Sequence, residues 1–581
     1  MTAFLPQNDP NANRRQKELT ARQKEYEYCY DYVSPLALVK DVPFRDEFSI
    51  RWMTGLGQRL LVVLENLTHV ESIPELREKH QKQYKLFQGL AKAVTFNIPG
   101  MLDVLQGAIE MRGAFTRPES YDDYAKLFYK IGLPPIHRDY RLDEVFAELR
   151  LAGPNPIVIK QVAELDDRFP VTDDHFRTAL PNDSLEAARK EGRLFLADYY
   201  ELEALENSSY PIQKYVYAPL ALFAVDKVSR KFVPVAIQCR QLPASDNPIF
   251  TNQDGYNWLI AKTIVGMADG NLHEPVTHLA KTHLFMEPFC IATMRHLAAL
   301  HPVGLLLRPH FEGTLNINNL AHKFLIAPKG GVARLCGGTI ESIGKMVVSG
   351  VKDYSFNEAM LVRDFKARGV DDPETLPNYP YRDDAILYWD IIRKWVSDYL
   401  SIYYQSDADV QADTELAAWY QEIVSNDGGR ISGFGQNNTI GTFEYLVDAV
   451  RMIIYTSSVQ HAAVNFPQYD LMSYVSSMPL AVYKEAPTSK AGGTEEDFLD
   501  MLPPLEQANL QMCLGYGLGS FHYTRLGNYD RGHFRDDRAD APLKQFKQAV
   551  DDAGETIAHR NEERRPYKFL LPDGIPQSIN I

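Results

Sequence analysis

In the stretch FSIRWMTGLGQRLLVVLENLT (48–68), Trp52, Leu56, Leu60, Val63, Leu64 and Leu67 recur at helical spacing. The pattern predicts an amphipathic helix whose apolar face either docks on a core or rests on a membrane surface. Residues 12–30 also read as a helix, polar and mixed in charge, and further helices are expected up to about residue 150. PNPIVIKQV (154–162), YVYAPLALFAVD (215–226) and FVPVAIQC (232–239) carry β-type residues and predict short strands. From Trp258 to about residue 301 the chain turns helical again and is apolar nearly all round. AILYWDIIRKWVSDYLSIYY (385–404) and FEYLVDAVRMIIYTSSVQHAAVNF (443–466) predict two more long helices. Helices apolar on several faces belong inside a large helical assembly, so the expected fold class is mainly α with a few short strands.

Composition narrows the partners. With 581 residues, 45% of them hydrophobic, the chain can bury a very large core. A formal net charge of −15 argues against nucleic acid, whose backbone is bound by clustered Lys and Arg. Cys29, Cys239, Cys290, Cys336 and Cys513 are widely spaced, with no CxxC pair, which fits structural thiols in a reducing compartment. The first residues hold no apolar run of signal-peptide length, and YVYAPLALFAV (215–225) is too short to span a bilayer. The expectation is a soluble cytoplasmic protein, with any membrane contact peripheral and made through residues 48–68.

The candidate chemistry lies in the stretch 258–302, where His273, His278, His283, His296 and His301 occupy five of 29 positions. A buried imidazole needs a partner, and for one histidine a backbone carbonyl would suffice. Several on one apolar helix weaken that explanation. His278 and His283 are five apart, which an ideal α-helix turns away from each other by roughly 140°. A π-type insertion would return them to one side, where they could share a metal. HExxH is absent, so a zinc hydrolase would lack its glutamate base. His461 and Asn465, four apart in QHAAVNFPQY (460–469), share a helix face. Three imidazoles and a weak oxygen donor fit iron best among the metals imidazole suits. A carboxylate is missing from these helices, and the free chain end at Ile581 is one candidate for it. That would explain why the last segment, GIPQSINI, ends on apolar residues.

HEPVTHLAKTHLFMEPFCIATMRHLAALHPVGLLLRPHFEGTLNINNLA (273–321), QHAAVNFPQY, YTRLGNYD (523–530) and the terminal GIPQSINI together resemble the lipoxygenase family over roughly residues 150–581. The resemblance implies a lipoxygenase-type helical catalytic domain over 151–581, preceded by a helical N-terminal region over 1–150. It implies one non-haem iron per chain, held by His278, His283, His461, Asn465 and the terminal carboxylate of Ile581. Glu274 and Gln468 would stand behind the ligands and orient them. The implied reaction inserts O2 into polyunsaturated fatty acids with a cis,cis-1,4-pentadiene, beginning with hydrogen abstraction at a ferric hydroxide, which serves as the base. No side-chain nucleophile is required. Leu320, Ala321, Leu325, Ile326 and Val332 are candidate walls of an apolar channel for substrate and oxygen. Ala321 falls where Ala tends to accompany S products and Gly R products, although the direction of substrate entry can reverse that outcome.

Two departures from the family stand out. Its plant and animal members usually begin with a β-barrel lipid-binding domain, whereas residues 1–150 here read as helical. Plant members also carry an arginine near SYVSSMPLAVY (473–483), where Met478 stands in this chain. His273, His296, His301 and His310 read as structural. Three other readings remain open: a fatty-acid hydroperoxide isomerase on the same fold, a zinc hydrolase, and a helical interaction protein without catalysis.

Overall fold

The computed structural model describes residues 3–68 and 115–581, apart from the side chains of residues 64, 67 and 68. The helices expected within 69–114 and the placement of Leu64 and Leu67 therefore lie outside the described residues. Nine helices carry the argument below: α1 (Ala12–Glu25), α2 (Ile50–Thr68), α3 (Tyr256–Leu272), α4 (Phe285–His296), α5 (Pro380–Leu400), α6 (Phe443–Tyr455), α7 (His461–Asn465), α8 (Leu505–Gly519) and α9 (Asp540–Arg560). The mainly α expectation holds. One large hydrophobic core runs through these helices and includes residues from Leu5 to Ile581.

Strands β1 (Tyr28–Cys29) and β2 (Leu38–Val39) pair in a small ribbon. A separate antiparallel sheet takes the strands β3 (Ile159–Gln161), β4 (Leu194–Asp198), β5 (Leu220–Val225), β6 (Phe232–Gln238) and β7 (Ile249–Phe250) in chain order. Three of these lie inside the stretches predicted as strands; β4 and β7 were not foreseen. In β6, Pro234 pairs with Phe223, and the register shifts between Leu222 and Phe223. A proline cannot donate to the ladder, so an irregularity there is expected. One face of the sheet joins the main core, and the other covers a smaller core with Phe169, Phe176 and Leu180.

The helix expected from 258 to about 301 is found from Tyr256 to His296, with a π-helical segment in the middle. α3 runs into a π-helical segment, His273–Leu284, and this runs into α4. Pro275 lies in the widened segment. Its missing N–H cannot close an α-helical bond, which favours local rearrangement of the ladder. The helix expected over 443–466 is divided in the same way, with π-helical Thr456–Gln460 between α6 and α7.

Helix α2 forms as its periodicity predicts, and its apolar face is buried. Trp52, Leu56, Leu60 and Val63 are each at most 6% exposed. The helix packs along α8, and the Trp52 ring stacks on Phe48 and meets Phe521 edge-on. Membrane contact through these residues is thereby corrected: the face is used inside the protein. Among the described residues of 1–150 there are helices and the β1–β2 ribbon, and no β-barrel. No described helix is long and apolar enough to cross a membrane.

Candidate metal centre and apolar cavity

The widened turn decides the geometry. A π-helix closes its hydrogen bonds over five residues, so His278 and His283 come to one side. Their Nε2 atoms lie 3.1 Å apart. His461, the first residue of α7, brings its Nε2 to 3.2 Å from that of His283. All three rings are buried, and one donor atom from each falls within 4.8 Å of the others.

The outer ring atoms set the tautomers. His283 Nδ1 meets Asn318 Oδ1 at 2.8 Å, and an amide oxygen only accepts, so Nδ1 carries the proton. The His278 Nδ1 faces the Glu274 carboxylate at 4.0 Å, which favours a proton on that side as well. Both Nε2 atoms are then bare lone pairs pointing at each other. Without a cation between them that contact is repulsive; with one it is a donor set. Burial pushes the pKa of His283 down to about 3, with the neighbouring His278 acting in the same direction. Burial also lowers His278 and, most strongly, His461. Neutral imidazole is the form that ligates metal.

Behind His283 stands a relay that the sequence analysis missed. Asn318 Nδ2 donates to the His283 carbonyl at 3.0 Å and to Glu287 Oε2 at 2.7 Å. Glu287 Oε1 in turn accepts the backbone N–H of Val39 at 2.7 Å. The amide of Asn318 cannot flip without losing its bonds to Glu287 and the carbonyl, so its oxygen stays on the histidine. Burial raises the Glu287 carboxyl to about 7. The sequence signal was present: Glu287 and Asn318 are polar residues in apolar helical stretches.

Glu274 also contacts His273 Nδ1, at 3.5 Å. Burial works against its charge, but hydrogen bonding to His273 and His278 prevails and holds its carboxyl down to about 2. Asn465 is buried on the same short helix as His461, but its amide is committed elsewhere. Its Oδ1 accepts from Gln468 Nε2 at 2.9 Å, and its Nδ2 donates to the Leu518 carbonyl at 3.0 Å. One lone pair on Oδ1 remains. Gln468 thus meets Asn465 directly and also lines a small apolar side pocket.

The chain end threads inward to this place. Ile579 and Ile581 are buried, and Ile581 lines the same cavity as His278 and His283. The segment before it is fixed residue by residue. Gln577 N donates to the Thr524 carbonyl at 2.6 Å, and the Ser578 hydroxyl to the Glu312 carbonyl at 2.7 Å. The Thr314 hydroxyl donates to the Ile579 carbonyl at 2.9 Å, and Trp52 Nε1 to the Asn580 carbonyl at 2.8 Å. His310 holds the Gln577 carbonyl at 2.7 Å and the Tyr529 hydroxyl at 2.9 Å. The other histidines have structural partners too. His273 bonds the Val464 carbonyl at 2.8 Å, His296 pairs with Glu422 at 3.1 Å, and His301 pairs with Asp413 at 3.0 Å.

Against the histidines lies an apolar cavity of about 140 Å³. Its lining includes Leu320, Ala321, Leu325, Ile326 and Val332, all five of the predicted wall residues, together with Glu274, His278, His283 and Ile581. Leu56, Leu60 and Val63 of α2 close one side. Among the described lining residues the only side-chain carboxylate is Glu274, and there is no lysine or arginine. Met478 is buried outside this lining, its carbonyl accepting from Gln511 at 2.8 Å.

The comparisons with known proteins agree with this geometry. The family model described as lipoxygenase matches residues 42–568. Linoleate 9/13-lipoxygenase of Pseudomonas aeruginosa is 40% identical over 502 residues, covering 82% of this chain and 72% of the relative. A hydroperoxide isomerase of Mus musculus, ALOXE3, is 32% identical over 488 residues, with 82% and 67% covered. The crystal structure of coral 8R-lipoxygenase superposes with a TM-score of 0.85 at 30% identity, covering 100% of this chain and 83% of that one. With a family match across most of its length and a triad of buried, neutral histidines around one point, the chain belongs to the lipoxygenase family.

Proposed function

We propose that this protein is an iron-dependent dioxygenase that inserts O2 into the cis,cis-1,4-pentadiene of polyunsaturated fatty acids to give hydroperoxy fatty acids. The observation that carries the reading is the convergence of three imidazole nitrogens beside a buried chain end and an apolar cavity. One iron per chain would be held by His278, His283, His461 and the carboxylate of Ile581, with Asn465 as a weak donor through its remaining lone pair. When bound, iron supplies the one-electron redox chemistry that removes a hydrogen atom from the doubly allylic carbon.

The protein's own residues do the rest. Asn318 and Glu274 hold the proton on the outer nitrogen of His283 and His278, so that each Nε2 is free to ligate. Gln468 orients Asn465. The apolar walls receive the acyl chain, each buried CH2 contributing about 0.8 kcal/mol. Glu274 and the terminal carboxylate of Ile581, both on the lining, would repel a fatty-acid carboxylate, so the acid head is left towards the cavity mouth. Ligand sites usually hold roughly 300–1,000 Å³, so side chains on α2 or around 320–326 must move aside to admit a long chain. The five free cysteines fit the reducing cytoplasm. Residues 151–581 form the catalytic domain in this proposal, and the described part of 1–150 adds α2 to the cavity wall.

Incubating purified protein with linoleate under air tests the reading: oxygen consumption and conjugated-diene absorbance are expected together. Absence of both signals with iron-loaded protein would overturn it. The second reading, isomerisation of preformed fatty hydroperoxides, is favoured by the similarity to ALOXE3. It predicts turnover of hydroperoxide without oxygen uptake on free linoleate.

Two further outcomes are expected. Asn318→Leu removes the acceptor that fixes the His283 tautomer and leaves Glu287 without one donor. Iron retention against a chelator should fall by about 10–100-fold, the range for losing a partner behind a metal ligand. Ala321→Gly should change the position or face of oxygen addition while hydrogen abstraction continues, because a methyl is removed from the wall beside Leu320. Chiral chromatography of the products checks this, and an unchanged ratio across several substrates would remove Ala321 as a determinant.

A further inference from the structure

The segments that carry the metal-site histidines have a second side. Opposite the apolar cavity lies another, of about 720 Å³, which reaches the surface past the exposed Lys160, Tyr200 and Glu201. Its inner wall includes Thr277 and Lys281 from the π-helical segment and Gln460 from the residue before His461. No histidine of the triad and no wall residue of the apolar cavity lines it. Its volume falls within the range of small-molecule sites.

The charges inside are unequally satisfied. Arg168 pairs with Asp198 at 3.2 Å, and Arg368 with Asp364 at 2.6 Å. Lys281 forms neither a hydrogen bond nor an ion pair among the described residues; its described partner is the Tyr354 ring, 5.3 Å from Nζ. Glu201 and Asp364 act on it only at longer range. Beside it, Gln460 Nε2 makes one long contact, 3.5 Å to the Tyr354 hydroxyl. Two nitrogen donors with spare capacity therefore face a roomy cavity whose remaining inner wall includes Leu272, Leu361 and the ring of Tyr455. A partly buried cation with no anion at ion-pair distance among the described residues costs free energy that an incoming anion would recover.

We propose that this second cavity binds a small organic carboxylate, its oxygens on Lys281 Nζ and Gln460 Nε2 and its apolar part against Leu272, Leu361 and the tyrosine rings. The occupant touches residues adjacent to His278 and His461 in the chain, so the site lies directly behind the metal centre. This inference does not rest on the dioxygenase reading, since binding is measured without turnover.

The test is calorimetric titration of the iron-loaded full chain with phenylacetate and with its neutral counterpart phenylacetamide. One phenylacetate per chain is expected, with phenylacetamide much weaker. Lys281→Met should weaken phenylacetate by roughly ten- to hundredfold, the factor a charge-assisted hydrogen bond carries. Lys281→Arg, which keeps the charge, should restore most of the affinity and guards against a mere folding defect. Phenylacetate binding of equal strength in wild type and Lys281→Met overturns the proposal, as does no binding to wild type at millimolar concentration.

Discussion

Deletion of Ile581 is expected to abolish oxygenation and strip the protein of iron. Shortening the chain moves its free carboxylate back by one residue, up to about 3.5 Å. The tail cannot slide forward to compensate, because Gln577, Ser578, Ile579 and Asn580 are each held by a bond to a different part of the fold. Adding one glycine after Ile581 should be as harmful, since the carboxylate becomes a neutral peptide carbonyl and the new end has no room among buried side chains. Ile581→Val keeps the carboxylate and loses one buried CH2, at about 0.5–1.5 kcal/mol of stability. It should keep both iron and substantial activity. Metal analysis and oxygen uptake on the three variants separate a ligand from an apolar plug. An active, iron-loaded protein extended beyond Ile581 would sink the assignment.

Alanine at His278, His283 or His461 is expected to empty the site, from about one iron per chain to nearly none. The loss should exceed the 10–100-fold that follows from removing a partner behind a ligand. His283 should be the most damaging, because its Nε2 is within 3.2 Å of both other histidines and its outer nitrogen anchors the relay to Asn318 and Glu287. Thermal unfolding of the apo proteins distinguishes loss of metal from loss of fold. Full turnover by two of these variants without bound iron contradicts the proposed centre.

Helix α2 shows how a correct local reading can leave its purpose open. The spacing of Trp52, Leu56, Leu60 and Val63 specifies an amphipathic helix, yet the same face would suit a core or a lipid surface. Contact with α8 and the cavity decides for the interior. Strand β4 was missed for a related reason. LFLAD is too short for its apolar residues to distinguish a strand from a helix fragment, and its identity comes from pairing with β3 and β5.

The sequence by itself determined the long helices, the class of the fold, the histidine pairings and the family, because periodicity, motif and residue chemistry are local or carried in order along the chain. It even called for the π-type turn, since five-apart histidines cannot share a face in an ideal α-helix. Tertiary structure alone decided which atoms meet. Residues as distant in sequence as His283 and Asn318, or His283 and Ile581, come together only when the helices pack and the tail threads inward. The relay through Glu287, the use of α2 as a cavity wall and the free cation of Lys281 among the described residues arise in the same way. Each depends on what burial places opposite a side chain, and no spacing along the chain encodes that.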